Sequence, residues 1–370
     1  MEPILVSTPS RLCLFGEHQD YLGLEVVALA INLRFSARVT PTDAPVVRVR
    51  VLEQVQGGMS LGGEPTYTEQ AIDLNAPIVY AHKRDYLKSA VKLLRDRGYP
   101  LAGCEIEMTS QIPIGKGMCS STTMIMVLIK ALLERIGHPD KDDPARLAML
   151  GFDAEVTEFG EPGGKMDHLT SAYGGLVHLD FADGVAAEPI DRQVPGRFIV
   201  FDSRQGKDTL KVLASAKTPV LEALETLAPE GVASVRDFLS DPGKQALLDK
   251  LDPVHRRKLA ASIDNHRLLR QALRLWREDR MDPATLGRMI YQHHCNLRDG
   301  LGISTDTIEA ILETALRSGA LGGKINGSGG GGCGYCYALE QDAPRVLSAI
   351  RAMGYPAMVV TPDTGIRREN

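Results

Sequence analysis

The spacing of apolar positions changes several times along the chain, and each change marks an element. From residue 4 to 60 apolar residues are β-branched or fall on alternate positions. Ile4–Ser7, Arg11–Phe15, Val26–Leu33, Ser36–Val39 and Val46–Val55 predict strands between turn residues. Over 79–98 the spacing lengthens to three and four, with Tyr80, Tyr86, Leu87, Val91 and Leu94 on one face, and Gly98-Tyr99-Pro100 closes the predicted helix. Alternation returns in Cys104–Met108. A glycine-rich turn at 113–119 then leads into an apolar helix from about Ser120 to Arg135, stopped by Gly137 and Pro139, and another helix is predicted over 144–159.

Leu176–Leu179 and Phe198–Phe201 predict strands, and helical spacing dominates from about 207 to 318, as in Leu268–Leu275 and Thr305–Leu316. The chain ends on strands Tyr335–Leu339 and Ala357–Thr361 around a helix at 343–353. This mixed order predicts two α+β layers. Pro189, Pro195 and nearby glycines put the break near 185–196, hence an N-terminal domain over 1–190 and a C-terminal one over 191–370.

Composition narrows the possibilities. The 370 residues exceed what one core usually serves, and 44% hydrophobic with 24% charged residues excludes a disordered or fibrous chain. Aromatic residues are 5%, with Trp276 the single tryptophan, too few for a base-stacking platform. A formal charge of −5 gives no net field toward nucleic acid or an acidic membrane. Six scattered cysteines in a chain of this size suit a reducing compartment. Cys333 and Cys336 have zinc-knuckle spacing but no second pair, so they read as strand core. The N-terminus lacks the pattern of a signal peptide, and no stretch reaches the roughly 18 apolar residues of a membrane helix; a cytoplasmic protein with no evident protein partner is expected. The unusual number is 36 glycines, which cluster.

Three segments carry candidate chemistry. In Ser10–Tyr21 an apolar strand containing Arg11 runs into Glu17, His18, Asp20 and Tyr21. Such alternating donors and acceptors suit a polyhydroxylated ligand, or equally a solvated loop. Pro113–Thr123 is a glycine turn at a helix start; Gly115, Lys116, Gly117, Met118, Cys119 and Ser120 can turn N–H groups toward an anion where the helix dipole adds. A plain helix-capping turn would look similar. The third, Gly327–Gly334, has six glycines in eight residues between strand-like sequences, which points to close backbone approach. His293-His294 does not read as a metal pair, since adjacent helical residues point apart, and the arginines of Arg267–Arg280 read as a solvated face.

Together these segments, in this order, resemble the GHMP kinase superfamily, which includes galactokinase, homoserine kinase, mevalonate kinase and phosphomevalonate kinase, and the resemblance spans nearly the whole chain. It implies a ribosomal-protein-S5-like N-terminal domain, a ferredoxin-like C-terminal domain, and ATP between them over the second segment. Gly16-Glu17-His18-Gln19-Asp20-Tyr21, with Arg11 upstream, looks like the galactokinase branch, whereas Gly327–Cys333 is closer to mevalonate kinases. Gly163–His168 occupies the place of a galactokinase Cys-Gly-Ile-Met-Asp-Gln segment, and Ala154-Glu155 matches a family glutamate.

By resemblance Asp167 would accept the proton of the sugar hydroxyl or orient it, and Arg11 would hold Asp167 ionised and counter γ-phosphate charge. Ser121 and Glu155 would ligate Mg²⁺, while Gly115–Ser120, Thr122, Gly329 and Gly330 would surround ATP. Glu17, His18, Asp20, Tyr21 and Gly164 would bind a sugar phosphorylated at its anomeric hydroxyl. Read alone, Asp167 could equally be a helix N-terminal acid and Glu155 a surface charge. Ser10-Arg11-Leu12-Cys13, Cys119 and Thr122 depart from the galactokinase pattern, and Phe201–Asp208 stands where a galactose-pocket segment is expected. The implied activity is a sugar 1-kinase; a mevalonate- or homoserine-type kinase and a non-catalytic sugar- and ATP-binding relative are the alternatives.

Overall fold

The structure is a computed structural model that describes residues 2–55, 67–161, 163–182 and 184–370. Positions 56–60 of the strand-rich N-terminal stretch lie outside the described residues. In chain order the first elements are β1 (Ile4–Phe15), β2 (Glu25–Pro41), β3 (Val46–Val55), β4 (Tyr67–Asp73), α1 (Tyr86–Asp96), β5 (Cys104–Ser110), α2 (Ser120–Ile136), α3 (Pro144–Phe152) and α4 (Met166–Tyr173). Then come β6 (Leu176–Asp180), β7 (Ala186–Pro189), β8 (Arg197–Asp202), α5 (Thr209–Leu227), α6 (Asp237–Ser240), α7 (Pro253–Arg277) and α8 (Pro283–Cys295). The last are α9 (Asp306–Arg317), β9 (Gly322–Ile325), β10 (Cys333–Ala338), α10 (Ala343–Ala352), β11 (Ala357–Val360) and β12 (Arg367–Arg368).

These elements form two compact units. The first comprises Met1–Leu12, Leu29–Val177 and Pro362–Asn370; the second comprises Cys13–Ala28 and His178–Thr361. A division at 190/191 follows sequence order, whereas compactness places Cys13–Ala28 with the C-terminal half and the last nine residues with the N-terminal half. The reason is strand length: β1, β2 and β6 are each crossed by a unit boundary.

In the first unit the strands run in the order β12-β1-β2-β5-β3-β4, with β3 and β5 parallel and β2–β5, β3–β4 and β1–β12 antiparallel. Helix α2 is apolar nearly all round, and twelve of its residues are buried among neighbouring helices. Several sequence readings change here. The two short strands predicted over 26–39 are one strand, β2. The helix predicted from 79 starts at Tyr86, because Arg84 takes a left-handed φ of 65° and the Asp85 carboxylate accepts from Ala81 N and Gln70 Nε2. The helix predicted over 144–159 stops at Phe152, and the backbone widens to i→i+5 bonding over Asp153–Thr157, as in Glu158 N to Asp153 O at 2.9 Å. Such wide turns recur at functional sites, and this one carries Glu155.

In the second unit β11-β8-β10-β9 form an antiparallel sheet. Ile199 and Phe201 of β8 share a core with Ile308, Ile311 and Leu312 of α9 and Val346 and Ile350 of α10. A second core gathers Val220 and Ala223 of α5, Phe238 of α6, and Leu259 and Ile263 of α7 around Leu24. Cys333 and Cys336 sit buried on β10 three residues apart, so they face opposite sides of the strand and cannot share a metal.

The C-terminal tail closes the first unit through one side chain. Buried Arg34 of β2 donates to Ser7 Oγ at 2.6 Å, Asp363 Oδ2 at 2.8 Å, and the carbonyls of Ser7, Thr364 and Gly365 at 3.2, 3.1 and 2.9 Å. Removing one partner of such a buried pair strands the other charge. Arg34→Met should therefore cost roughly 3–5 kcal/mol in urea unfolding; a loss below about 1 kcal/mol would show that the tail is held by other contacts.

Candidate active site

In the first unit, Arg11 gathers three segments. It lies within apolar β1, 3% exposed, and its guanidinium can remain there only if its donors are satisfied. Nε donates to Asp167 Oδ1 at 2.8 Å, Nη2 lies 2.7 Å from the same oxygen, and Nη1 donates to Gly117 O at 3.1 Å. Asp167 occupies the first turn of α4 and keeps a quarter of its side chain exposed. A fixed, partly open carboxylate results, placed to accept or orient a proton.

The glycine turn leads directly into α2. Gly115 and Gly117 have φ of 69° and 85°, and Cys119, just before the helix, has φ of 50°, a conformation costly for a residue with a side chain. The turn is pinned by Ser10 Oγ donating to Met118 O at 2.9 Å and by Gly115 N donating to Ser120 Oγ at 3.3 Å. No side chain caps the start of α2, and an added Cβ at Gly115 would meet nothing within 4 Å. Lys116 is half-buried on this turn. The first N–H groups of the helix, its dipole and an open approach together suit an anion.

Glu155, 8% exposed, stands beside the same helix start. Thr122 Oγ1 donates to its Oε2 at 2.7 Å, and His168 Nε2 lies 2.9 Å from that oxygen, at ion-pair distance but off the hydrogen-bond line. Burial pushes the Glu155 carboxyl up, but His168 and the hydroxyls of Ser121 and Thr122 outweigh it and hold the pKa below the ordinary value. An ionised carboxylate next to the Ser121 hydroxyl is a set of hard oxygen donors. It fits a Mg²⁺ ion that takes its remaining ligands from phosphate and water, and Ser121 and Glu155 would hold it. Among the described residues no group of three or more His, Cys, Asp or Glu could hold a metal unaided. Gly164 lies half-exposed two residues before α4.

The second unit carries the other predicted residues. Gly16, at φ 91°, approaches its own chain so closely that a Cβ would lie 2.5 Å from Glu25 O, and Gly16 N donates to His293 Nε2 at 3.3 Å. Past this turn Glu17 is 2% exposed and pairs at 2.7 Å with Lys324 Nζ of β9, itself fully buried and donating to Cys13 O at 3.0 Å. His18, at φ 65°, has Nδ1 2.7 Å from Tyr21 Oη and Nε2 3.1 Å from Ser328 O. A carbonyl only accepts, so Nε2 carries the proton and Nδ1 accepts from the Tyr21 hydroxyl. Burial lowers the His18 pKa to about 4, with Glu17 and the Ser328 carbonyl acting the other way, and burial together with Asp20 and Glu17 raises Tyr21 well above its ordinary value. Both rings are thus neutral near pH 7. Asp20 is partly exposed, and its Oδ1 accepts from Tyr21 N at 2.9 Å.

The glycine run answers to its own unit. A Cβ at Gly329 would lie 2.6 Å from Ile303 O, one at Gly330 2.6 Å from Val212, and Gly330 N donates to Ile303 O at 2.8 Å. The close approach expected of this segment is therefore, at these positions, to protein backbone and side chain.

The structure thus groups Arg11, Asp167, the 115–122 turn and Glu155 in one unit, and Glu17, His18, Asp20, Tyr21, Gly329 and Gly330 in the other. Adjacent His293 and His294 turn to different partners, Gly16 N and Glu309, as helical geometry requires. Sequence reasoning missed three side chains. Lys324 is a lone charge in a glycine and apolar strand, the same signal that marks Arg11. Lys207, whose Nζ donates to Ser328 Oγ at 2.8 Å, and His168 gave no such signal.

Three family models match parts of the chain. "GHMP kinases N terminal domain" matches residues 85–175, "GHMP kinases C terminal" matches 269–356, and "Galactokinase galactose-binding signature" matches 1–41. The chain belongs to the GHMP kinase superfamily and has its two-domain fold. It is 26% identical over 369 residues to the mevalonate kinase of Thermococcus onnurineus, covering 99% of this chain and 98% of that one. It is 28% identical over 359 residues to the galactokinase of Mycobacterium bovis, covering 93% and 91%. The crystal structure of Lactococcus lactis galactokinase complexed with galactose superposes with a TM-score of 0.81 at 18% identity over 99% of this chain and 95% of that chain. GHMP kinases use ATP as co-substrate. No helix among the described residues is long and apolar enough to cross a membrane.

His18 carries a pH signature. Its pKa is about 4 in the folded chain and near the ordinary 6.5 when unfolded, so between these values the unfolded chain binds more protons. The stability involved is present above pH 6.5 and is lost as pH falls toward 4, by on the order of 3 kcal/mol. His18→Gln should lose less stability than wild type over that window in denaturant unfolding; parallel curves would refute the buried neutral imidazole.

Proposed function

We propose that the protein phosphorylates a monosaccharide with ATP at its anomeric hydroxyl, giving a sugar 1-phosphate in the cytoplasm. The observation that carries this reading is the Arg11–Asp167 pair, anchored to the glycine turn through Gly117 O. In the reaction the sugar oxygen forms a bond to the γ-phosphorus as the bond to the β–γ bridging oxygen breaks. Asp167 takes or directs the hydroxyl proton, and Arg11 holds the Asp167 carboxylate in place while countering charge on the transferring group. The N–H groups of 115–120 hold the phosphates. Mg²⁺, held by Ser121 and Glu155, would supply charge neutralisation there.

The first segment supports a sugar as the acceptor. The galactokinase signature covers it, and Tyr21, His18 and Asp20 offer oriented donors and acceptors of the kind hydroxyls need. The galactose-pocket segment has no counterpart, and a turn through Arg204 and Lys207 stands in its place, which is compatible with another hexose, a uronic acid or an amino sugar. One observation favours a second reading, a mevalonate-type kinase: Thermococcus mevalonate kinases match over 99% of the chain, in keeping with a glycine run that resembles the mevalonate kinase version more than the galactokinase one. ADP release across free monosaccharides, sugar phosphates, mevalonate and homoserine decides. Turnover of a free monosaccharide is expected; turnover of mevalonate alone would replace the sugar reading with the second one, and ATP binding without turnover of any acceptor would contradict both.

A further inference from the structure

Helix α7 presents Arg267, Arg270 and Arg274 at three- and four-residue spacing, on one face. Like charges so placed repel one another and weaken a helix unless something opposite meets them. The sequence suggests only a solvated face. In the structure these side chains line a cleft of about 590 Å³ together with Arg236, His266 and the Ser240 hydroxyl, a volume in the range of small-molecule sites.

The acids that face it do not balance it. Glu25, 1% exposed, forms the floor: its Oε1 accepts from Arg270 Nη1 at 2.8 Å, and its Oε2 lies 3.9 Å from Arg236 Nη1 and 3.5 Å from His266 Nε2. Asp180 takes Arg236 Nη2 at 2.6 Å, and Arg267 reaches Asp264 at 3.1 Å and Gln245 at 2.8 Å from its exposed side. Arg274 has no ion-pair partner among the described residues. Three buried polar atoms here have no hydrogen-bond partner: Arg236 Nε, a donor, and two acceptors, Glu25 Oε2 and Nδ1 of His266, which is 1% exposed. Burial holds the His266 pKa near 4, opposed by Glu25, so its ring is neutral at pH 7, and its single N–H lies on Nε2, toward the Glu25 carboxylate. An orphaned buried guanidinium N–H at Arg236, beside an Arg274 with no ion-pair partner, is what an absent anion leaves behind.

We propose that this cleft is a second ligand site, which binds a small multiply charged anion bearing a phosphate or diphosphate group through Arg236, Arg267, Arg270 and Arg274, with the Ser240 hydroxyl as a neutral donor. Planar guanidiniums arranged around one volume match phosphate oxygens in pairs. All the residues involved belong to the second unit and differ from those assigned to ATP, Mg²⁺ and sugar. The site therefore stands whether or not the kinase reading does.

Calorimetric titration of the full chain with pyrophosphate, with saturating ADP present, tests it. Wild type should bind one equivalent, and Arg267→Ala/Arg274→Ala should bind it roughly ten- to a hundredfold more weakly, the loss expected for two charge-assisted contacts. Both arginines are exposed, so the melting temperature should hold, and Arg274→Gln alone gives a smaller loss should the double variant not fold. Competition by inorganic phosphate against glucose 1-phosphate identifies the source of the anion, and displacement by either supports the site. No pyrophosphate binding to wild type, or equal affinity in wild type and the variants, overturns it.

Discussion

Everything proposed for the reaction depends on a guanidinium buried in an apolar strand. Leaving Arg11 unpaired inside β1 would cost more than most single contacts can return, so its donors must be met by groups brought to it. They come from the start of α4, where Asp167 sits, and from the carbonyl of Gly117 on the phosphate-type turn. One side chain therefore sets the position of the candidate base and of the loop that would hold the phosphates. Through Ser121 and Thr122, which follow that loop, the same arrangement extends to Glu155.

The second unit uses a different device for a similar end. Buried Lys324 and Glu17 neutralise each other beneath the loop that carries His18, Asp20 and Tyr21, and burial keeps His18 neutral. A neutral His18 with one nitrogen donating to Ser328 O and the other accepting from Tyr21 has a single tautomer. The direction of each hydrogen bond on this loop is then fixed, which suits discrimination among hydroxyl patterns. The strained φ of His18 and Cys119 falls in the two loops assigned to ligands, where strain of this kind concentrates.

Much of this was legible in the sequence, and the exceptions have physical causes. Arg11 stands out because charge inside an apolar strand demands a partner, and the glycines at 115–117 stand out because a turn before a helix has few other uses. Partner identity is another matter. His168 lies one position after Asp167 and reads as an ordinary helical residue; only the wide turn over Asp153–Thr157, which no local spacing announces, brings Glu155 to it. The arginines of α7 show the same limit. Their spacing is plain in the sequence, but whether that face meets water or a cleft depends on Glu25, more than 240 residues away. The glycine run predicts close backbone approach, and at Gly329 the near neighbour is Ile303 O of the protein itself.

The reading of Arg11 and Asp167 as a catalytic pair is tested most directly by the turnover number of Asp167→Asn with a sugar acceptor identified for wild type. Asparagine preserves size and can still meet Arg11 through its oxygen, but it cannot take a proton or hold full negative charge. Turnover should fall by about 10²–10⁴, with ATP affinity and melting temperature close to wild type. Turnover within about threefold of wild type, in a folded variant that binds ATP, would contradict it, because general-base or charge-orienting roles carry a larger share of the rate.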